Sequence, residues 1–115
     1  MSGLTVPVRI GALASGGGSN LQAFIDRSWD GSLPAEAICV ISNNSTAGAL
    51  ERARKHGIPA YHISSVTHPD PGERDRAIAQ TLSSHGVELI ALCGYMKKLG
   101  PETLGRFAPY VLNIH

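Results

Sequence analysis

The sequence predicts an α/β fold with an open, mostly parallel sheet and helices on both faces. Two observations carry this prediction. Short apolar runs alternate along the chain with stretches whose apolar residues recur at helical spacing. The apolar runs are nearly continuous, as in strands that are buried on both faces of a parallel sheet. With 115 residues the chain has room for a single domain, expected over residues 1–115.

The first strand and the first helix are separated by a run of glycines. Residues 8–14 are almost entirely apolar and predict the first strand. Residues 16–18 are glycines, which break the strand. Ser19 or Asn20 is expected to cap the following helix, in which apolar residues recur at i, i+3 and i+4 from Leu21.

The second helix lies between two further predicted strands. Residues 35–42 form a nearly continuous apolar run and predict the second strand. Thr46 is expected to cap the second helix. Gly57 is expected just beyond its C-terminus, where glycine readily takes the left-handed conformation. Residues 59–63 predict a short third strand.

The third helix has the clearest start signal. Asp70 at the N-cap, Pro71 at the first helical position and Glu73 two residues later approximate a capping box. Gly86 is expected to end this helix, and residues 87–92 predict the fourth strand.

A short helix over residues 100–107 and a fifth strand over residues 111–114 complete the pattern. The resulting order, β-α-β-α-β-α-β-α-β, is that of a Rossmann-like sheet. Ligands of such sheets bind beyond the carboxyl ends of the strands. Because the sequence stops at His115, directly after the last strand, we expect it to be the N-terminal part of a longer domain.

Composition narrows the classes of function. With 43% hydrophobic and 17% charged residues, the chain is too apolar and too weakly charged for intrinsic disorder. A net charge of +1 offers no basic excess for a nucleic-acid backbone. No targeting signal and no apolar run of membrane-spanning length occurs, so a cytoplasmic protein is expected, with no membrane partner. The cysteine and histidine spacing predicts no metal site.

The glycine-rich turn predicts a phosphate site. Gly17 and Gly18 allow close approach of the backbone, and the helix that follows directs N–H groups and its positive dipole end to the same point. Ser19 and Asn20 add side-chain donors. The alternative is an ordinary glycine-rich turn without a ligand. A dinucleotide fingerprint is incomplete, because Leu21 stands at its third glycine position, so a monophosphate fits better.

Two further strand ends carry candidate site residues. Alternation places Asn113 and His115 on one face of the fifth strand. An asparagine amide can donate a hydrogen bond to a developing oxyanion, and a histidine imidazole can move a proton near neutral pH. The alternative is a strand end that frays into solvent. The segment after the fourth strand also lies at the carboxyl end of a strand, where substrates bind in this class of fold. It is expected to supply an apolar wall and a cation that meets the anionic tail of a ligand. Its candidate residues are Tyr95, Met96, Lys97 and Leu99. The alternative there is a solvated turn with one core methionine.

The other reactive or charged side chains are expected to have ordinary roles. Cys93 is expected to be a buried small hydrophobe rather than a nucleophile. The arginines of the second and third helices are expected on solvated helix faces: Arg52, Arg54, Arg74 and Arg76. For Arg74, which lies near the loop before the third helix, contact with an anion is the alternative.

The chain resembles the phosphoribosylglycinamide formyltransferase family from residue 8 to residue 115. The resemblance rests on ASGGGSNLQAFID (14–26), ISNNSTAGALERARKHGIP (41–59), LCGYMKKLGP (92–101) and VLNIH (111–115). It implies a seven-stranded, mostly parallel sheet, of which this chain supplies the N-terminal, ribonucleotide-binding part.

The resemblance also implies a reaction. The formyl group of 10-formyltetrahydrofolate passes to the amine of glycinamide ribonucleotide in purine biosynthesis, without a metal or a covalent intermediate. It assigns the ribonucleotide phosphate to Gly18, Ser19 and Asn20, the folate to Tyr95, Met96, Lys97 and Leu99, and catalysis to Asn113 and His115.

The resemblance places the catalytic aspartate of the family beyond His115, so little or no transferase activity is expected from these 115 residues alone. Two other functions are left open. One is a 10-formyltetrahydrofolate hydrolase with a related catalytic domain. The other is a non-catalytic, phosphate-binding half of a split protein. The oligomeric state is also left open.

Overall fold

The computed structural model describes residues 7–31 and 34–114. Within these ranges the strands are β1 (Val8–Ala14), β2 (Ala35–Ser42), β3 (Ala60–His62), β4 (Leu89–Cys93) and β5 (Val111–Ile114). The helices are α1 (Ser19–Trp29), α2 (Gly48–Lys55), α3 (Pro71–Ser84) and α4 (Pro101–Phe107).

The five strands form one parallel sheet in the order β3-β2-β1-β4-β5. In the central strand β1, Ala12 pairs with Val40 of β2 on one side and with Ala91 of β4 on the other. The chain builds β2 and β3 on one side of β1 and then crosses to β4 on the other. The topological switch point, where ligands of this class of fold bind, therefore lies between the carboxyl ends of β1 and β4. The predicted fold class and element order are confirmed.

The sheet separates two hydrophobic clusters, because alternate residues of β1 point to opposite faces. Ala12 and Ala14 pack with buried residues of α1 and α2, on what we call the α1/α2 face. Leu13 packs with buried residues of α3 and α4, on the α3/α4 face. Gly11 lets Leu82 of α3 lie directly on the sheet, because a Cβ at this position would collide with the Leu82 side chain.

Most element boundaries agree with the prediction. The carboxylate of Asp70 accepts a hydrogen bond from the Glu73 N–H at 2.9 Å, which confirms the predicted start of α3. β4 begins later than predicted, because the N–H of Val87 still bonds to the carbonyl of Leu82 at the end of α3. β3 is shorter than predicted.

The predicted cap of α2 is wrong. The helix starts after Ala47, without a capping side chain, and Thr46 lies in the preceding turn. There the Asn44 Oδ1 accepts hydrogen bonds from the N–H of Thr46 at 3.1 Å and from its hydroxyl at 3.0 Å. The asparagine thus engages the threonine in an Asx turn and leaves it no reach to the helix. Gly57, with φ of 70°, follows the helix as predicted.

The helices are short. The longest within residues 7–31 and 34–114 is α3, with 14 residues. None of the helices in these ranges is long and apolar enough to cross a membrane.

Candidate functional site

Three loops meet at the switch point, and the hydroxyl of Ser15 joins them. Ser15 follows β1 directly, and its N–H donates to the carbonyl of Gly94 after β4 at 3.3 Å. Its Oγ donates to Oδ1 of Asn43 after β2 at 2.6 Å and accepts from the N–H of Met96 at 2.8 Å. No role was predicted for Ser15 from the sequence. The available signal was its place as the first polar residue after a buried strand.

The glycine loop, formed by residues 16–18, lies directly against the start of α2. Gly18 has φ of 84°, and a Cβ there would stand 2.7 Å from the Cα of Ala49. A Cβ at Gly48 would stand 2.7 Å from the carbonyl oxygen of Gly17. Packing of one backbone on another therefore explains the glycines at 18 and 48. It does not explain Gly16 and Gly17, where a Cβ would meet nothing within 4 Å. The space at these two positions is open to a ligand.

The start of α1 is left without a side-chain cap, so the cap predicted at Ser19 or Asn20 is wrong. The N-cap residue is Gly18, and the first turn contains no acidic residue. The side chain of Asn20 turns instead to β5, where its Nδ2 donates to the carbonyl of Ile114 at 3.4 Å. Ser19 is exposed. Uncapped N–H groups at the positive end of a helix dipole attract an anion.

Arg52 is not solvated on a helix face, as expected from the sequence, but is half-buried against the glycine loop. Its Nε donates to the carbonyl of Gly17 at 2.8 Å, and its Nη1 donates to Oε1 of Gln22 in α1 at 3.3 Å. No local sequence pattern predicts these bonds, because both partners are far from Arg52 in sequence.

An open cavity of about 920 Å³ lies at the carboxyl ends of the strands, between the loop after β2, the starts of α3 and α4, and the loop after β4. Of the residues predicted after β4, Tyr95, Lys97 and Leu99 line this cavity. Tyr95 and Leu99 also pack on the α3/α4 cluster. Met96 is not among the lining residues and is 81% exposed, so the alternative of a core methionine is wrong.

The cavity is lined by more positive than negative side chains. Its described cations are Arg74, Lys97 and Lys98, and its described carboxylate is Asp75. The Arg74 Nη1 donates to the carbonyl of His68 at 2.9 Å, so this arginine is held at the cavity and not solvated as expected. Burial raises the pKa of Tyr95, and the charge of Arg74 partly offsets that rise. The tyrosine hydroxyl is thus a neutral donor at physiological pH.

Asp75 is a buried carboxylate that caps α4 from a neighbouring helix. It accepts hydrogen bonds from the N–H of Glu102 at 2.7 Å, and from the N–H and the hydroxyl of Thr103 at 3.0 and 2.7 Å. Gly100 makes room for it, because a Cβ there would collide with the carboxylate. Burial disfavours its charge, but these bonds and the charge of Arg76 outweigh burial and lower the pKa of Asp75.

The capping role of Asp75 was not predicted, although the sequence contains a signal for it. The buried residues of α3 are Asp75, Ile78, Ala79 and Leu82, which follow the i, i+3, i+4, i+7 spacing of one helix face. A carboxylate on the apolar face of a helix requires hydrogen-bond partners. The partners themselves lie in α4 and cannot be read from the pattern of α3.

Asn113 lies in β5, paired with Leu92 of β4, and is exposed. Alternation puts it on the same face as Val111, which packs on the α3/α4 cluster. Asn113 therefore belongs to the face of the sheet on which the cavity lies. His115 lies outside the described residues, so its predicted place beside Asn113 stays a prediction.

The two cysteines are buried thiols. Burial raises the pKa of Cys39 and of Cys93 to about 11, so both are protonated at neutral pH. The interpretation of Cys93 as a buried small hydrophobe is confirmed. Among the described residues, no group of three or more His, Cys, Asp or Glu side chains is placed to hold a metal ion.

The chain is similar to known proteins over nearly its whole length. A family model described as formyl transferase matches residues 8–115. A phosphoribosylglycinamide formyltransferase of Haemophilus influenzae is 44% identical over 93% of this chain and 50% of its own length. The chain thus spans about half the length of this relative.

Solved structures of related proteins show the same partial coverage, together with a similar fold. The crystal structure of glycinamide ribonucleotide transformylase 1 from Symbiobacterium toebii is 39% identical, with a TM-score of 0.90 over 97% of this chain and 53% of its own. A formyltetrahydrofolate deformylase from Pseudomonas putida is 28% identical, with a TM-score of 0.84 over 99% of this chain and 40% of its own.

Proposed function

Because the chain belongs to the formyl transferase family, we propose that it is the ribonucleotide-binding part of an enzyme of purine biosynthesis. The enzyme transfers the formyl group of 10-formyltetrahydrofolate to the amine of glycinamide ribonucleotide, and we expect it in the cytoplasm. One observation carries the proposal: the glycine loop on the α1/α2 face and the cavity on the α3/α4 face are joined through Ser15 at the switch point. A transferase needs two binding surfaces that meet at one reaction centre.

The phosphate of the ribonucleotide is assigned to the start of α1, at Gly17, Gly18, Ser19 and Asn20. The uncapped helix end, the absence of an acidic residue from its first turn and the open space at Gly17 support this assignment. The Asn20 side chain, bonded to the carbonyl of Ile114, ties this end of α1 to the strand that carries Asn113. The ribonucleotide thereby extends from the phosphate site towards the end of β5.

The folate is assigned to the cavity and to the loop after β4, at Tyr95, Met96, Lys97 and Leu99. Tyr95 and Leu99 supply apolar contact for the ring system, and Lys97 supplies a cation for the carboxylates of the folate tail. The exposed Met96 is held in place by the bond from its N–H to the Ser15 hydroxyl. Among the described lining residues the positive charges outnumber the negative ones, which suits an anionic ligand.

Catalysis in this proposal uses the end of β5. The substrate amine attacks the formyl carbon, and a negative charge develops on the formyl oxygen. The Asn113 side-chain N–H donates to that oxygen, and a protonated His115 stabilises the same charge. The bond from the formyl carbon to the folate nitrogen then breaks, and the amine proton passes to that nitrogen. The exposed amide of Asn113 is free to turn to a substrate without a cost in burial.

The test is product analysis with the full-length protein. Glycinamide ribonucleotide and 10-formyltetrahydrofolate labelled with carbon-13 in the formyl group are incubated with the enzyme, and mass spectrometry follows the label. The proposal predicts labelled formylglycinamide ribonucleotide and one tetrahydrofolate for each label transferred. An Asn113→Ala variant prepared in parallel is the control for contaminating activity.

A 10-formyltetrahydrofolate hydrolase is the second candidate. The similarity to the Pseudomonas putida deformylase over 99% of this chain favours it, although the identity of 28% is lower than that to the transferases. The same assay separates the two functions. A hydrolase releases labelled formate at an undiminished rate when the ribonucleotide is left out, whereas a transferase requires the ribonucleotide.

A further inference from the structure

The guanidinium of Arg52 is bonded to the back of the glycine loop. Its Nε donates to the carbonyl of Gly17 at 2.8 Å, and its Nη1 donates to Oε1 of Gln22 at 3.3 Å. The amide of Gln22 is itself oriented, because its Nε2 donates to Oδ1 of Asp26 at 2.9 Å and leaves Oε1 for the arginine. One side chain of α2 thus holds both the loop and the first helix that follows it.

The bond to the Gly17 carbonyl fixes more than that oxygen. The carbonyl of Gly17 and the N–H of Gly18 belong to one planar peptide group, and in the trans form they point in opposite directions. With the carbonyl turned to Arg52 and to Gly48 of α2, the N–H of Gly18 points away from α2. The first N–H groups of α1, which follows Gly18 directly, have no side-chain cap.

Within the described residues, Arg52 supplies the side-chain hydrogen bond to the peptide between Gly17 and Gly18. A Cβ at Gly16 or Gly17 would meet nothing within 4 Å, so neither residue has a side chain or side-chain packing to fix it, and glycine has the widest choice of backbone conformations. The Gly16 carbonyl is held by the N–H of Ala49 at 3.2 Å, and the Gly17 backbone packs on Gly48, but the orientation of the Gly17 carbonyl depends on its bond to Arg52. If one loop residue becomes ordered only when the ligand binds, the lost conformational entropy weakens the binding constant by a factor of about ten. A loop that is ordered before binding avoids this loss.

We propose that Arg52 is a positioning residue for the phosphate site: it orients the peptide between Gly17 and Gly18 so that the Gly18 N–H faces the ribonucleotide phosphate. The inference rests on the proposed function, because it needs the phosphate at the start of α1. Arg52 acts through the loop and not by contact with the ligand. Its planar guanidinium bonds two partners at once, which the ammonium group of lysine does not reproduce in the same geometry.

Calorimetric titration of the full-length protein with glycinamide ribonucleotide tests the proposal. Arg52→Lys and Arg52→Gln are each expected to raise the Kd about tenfold, since the loop must then be ordered by the ligand. Arg54→Gln is the matched control, because it removes the same charge from an exposed position of the same helix, and it is expected to change the Kd less than twofold. In steady-state kinetics the Arg52 variants should raise KM for the ribonucleotide while kcat and KM for the folate stay within about twofold.

Each outcome decides a different point. If the wild type binds no ribonucleotide, the proposed function fails and this inference fails with it. If the wild type binds and Arg52→Lys binds equally well, charge rather than orientation matters, and the inference alone is overturned. Equal Kd values for Arg52→Gln and Arg54→Gln overturn it as well. Should Arg52→Gln not fold, Gln22→Met serves instead, because it removes one of the two partners of Arg52 and keeps the charge. It is expected to raise the Kd by an intermediate factor, and an unchanged Kd again overturns the inference.

Discussion

Replacing Asp75 with alanine should lower the free energy of unfolding by about 4 kcal/mol. The substitution removes an acceptor of three hydrogen bonds, from two backbone N–H groups and the Thr103 hydroxyl at the start of α4. Bonds to a charged group contribute about 1.5–3 kcal/mol each, so their simple sum exceeds 4 kcal/mol. We expect less than the sum, because Glu102 is exposed and water reaches its N–H once the carboxylate is gone.

Asp75→Asn separates charge from shape. The asparagine keeps one acceptor oxygen but turns an NH₂ group towards a backbone N–H, so a loss of about 2–3 kcal/mol is expected. Arg9→Ala is a control at the opposite end of α3, where Arg9 bonds the carbonyls of His85 and Gly86 at an exposed position. That loss should be about 1 kcal/mol. Urea denaturation of the three variants gives the free energies, and hydrogen exchange at Thr103 reports the loosened start of α4.

The pH dependence of stability follows from the same carboxylate. The pKa of Asp75 is lower in the folded than in the unfolded chain, so its stabilisation is fully present above the unfolded pKa, roughly 3.9. The stabilisation is lost as pH falls from there through the folded pKa. The wild type should therefore lose stability more steeply below pH 4 than Asp75→Asn does. A loss of stability for Asp75→Ala no larger than that for Arg9→Ala would contradict the role of Asp75 as the cap of α4.

Three further substitutions, one of them with a matched control, test other parts of the site. Ser15→Ala should lower the free energy of unfolding, measured by urea denaturation, by about 1–2 kcal/mol, because it leaves the N–H of Met96 without its acceptor. Gly18→Ala should lower the free energy of unfolding by at least about 2 kcal/mol and abolish ribonucleotide binding in calorimetry, because φ is 84° and a Cβ would collide with Ala49. Gly16→Ala is the control at an open position and should leave the melting temperature unchanged. Asn113→Ala should lower kcat by roughly two to three powers of ten and leave KM for the ribonucleotide within about twofold, and a raised KM with an unchanged kcat would contradict the assigned role.

The sheet was predictable because its strands are buried runs whose pattern is local. β1, β2 and β5 have the predicted bounds, and the third helix has the predicted cap at Asp70. The glycine loop was also found at the correct strand end. These features depend on residues that are neighbours in sequence, where apolar pattern and capping chemistry agree.

The features that were missed depend on distant partners. Arg52 bonds a carbonyl 35 residues away, and Asp75 bonds groups 27 and 28 residues away. The cap at Ser19 or Asn20 was wrong because Gly18 packs on Ala49, which sets the start of α1 by a contact between two helices. Local propensity cannot report such tertiary contacts.

The same division applies to the loop after β4. Tyr95 and Leu99 were expected to form an apolar wall, and they line the cavity. Met96 was expected with them but is exposed and is not among the residues packed on the α3/α4 cluster. Its N–H is bonded to the Ser15 hydroxyl, a contact between two loops that an apolar residue type does not predict.

We expect two ligands to bind on opposite faces of one sheet and to meet at the switch point. Amide chemical shifts of the nitrogen-15-labelled protein, recorded with each ligand alone, test this expectation. The ribonucleotide should shift the amides of residues 17–20, and a folate without the formyl group should shift those of residues 95–99, with Ser15 responding to both. If both ligands shift the same set, or the ribonucleotide shifts the cavity residues and leaves residues 17–20 unchanged, the account is contradicted.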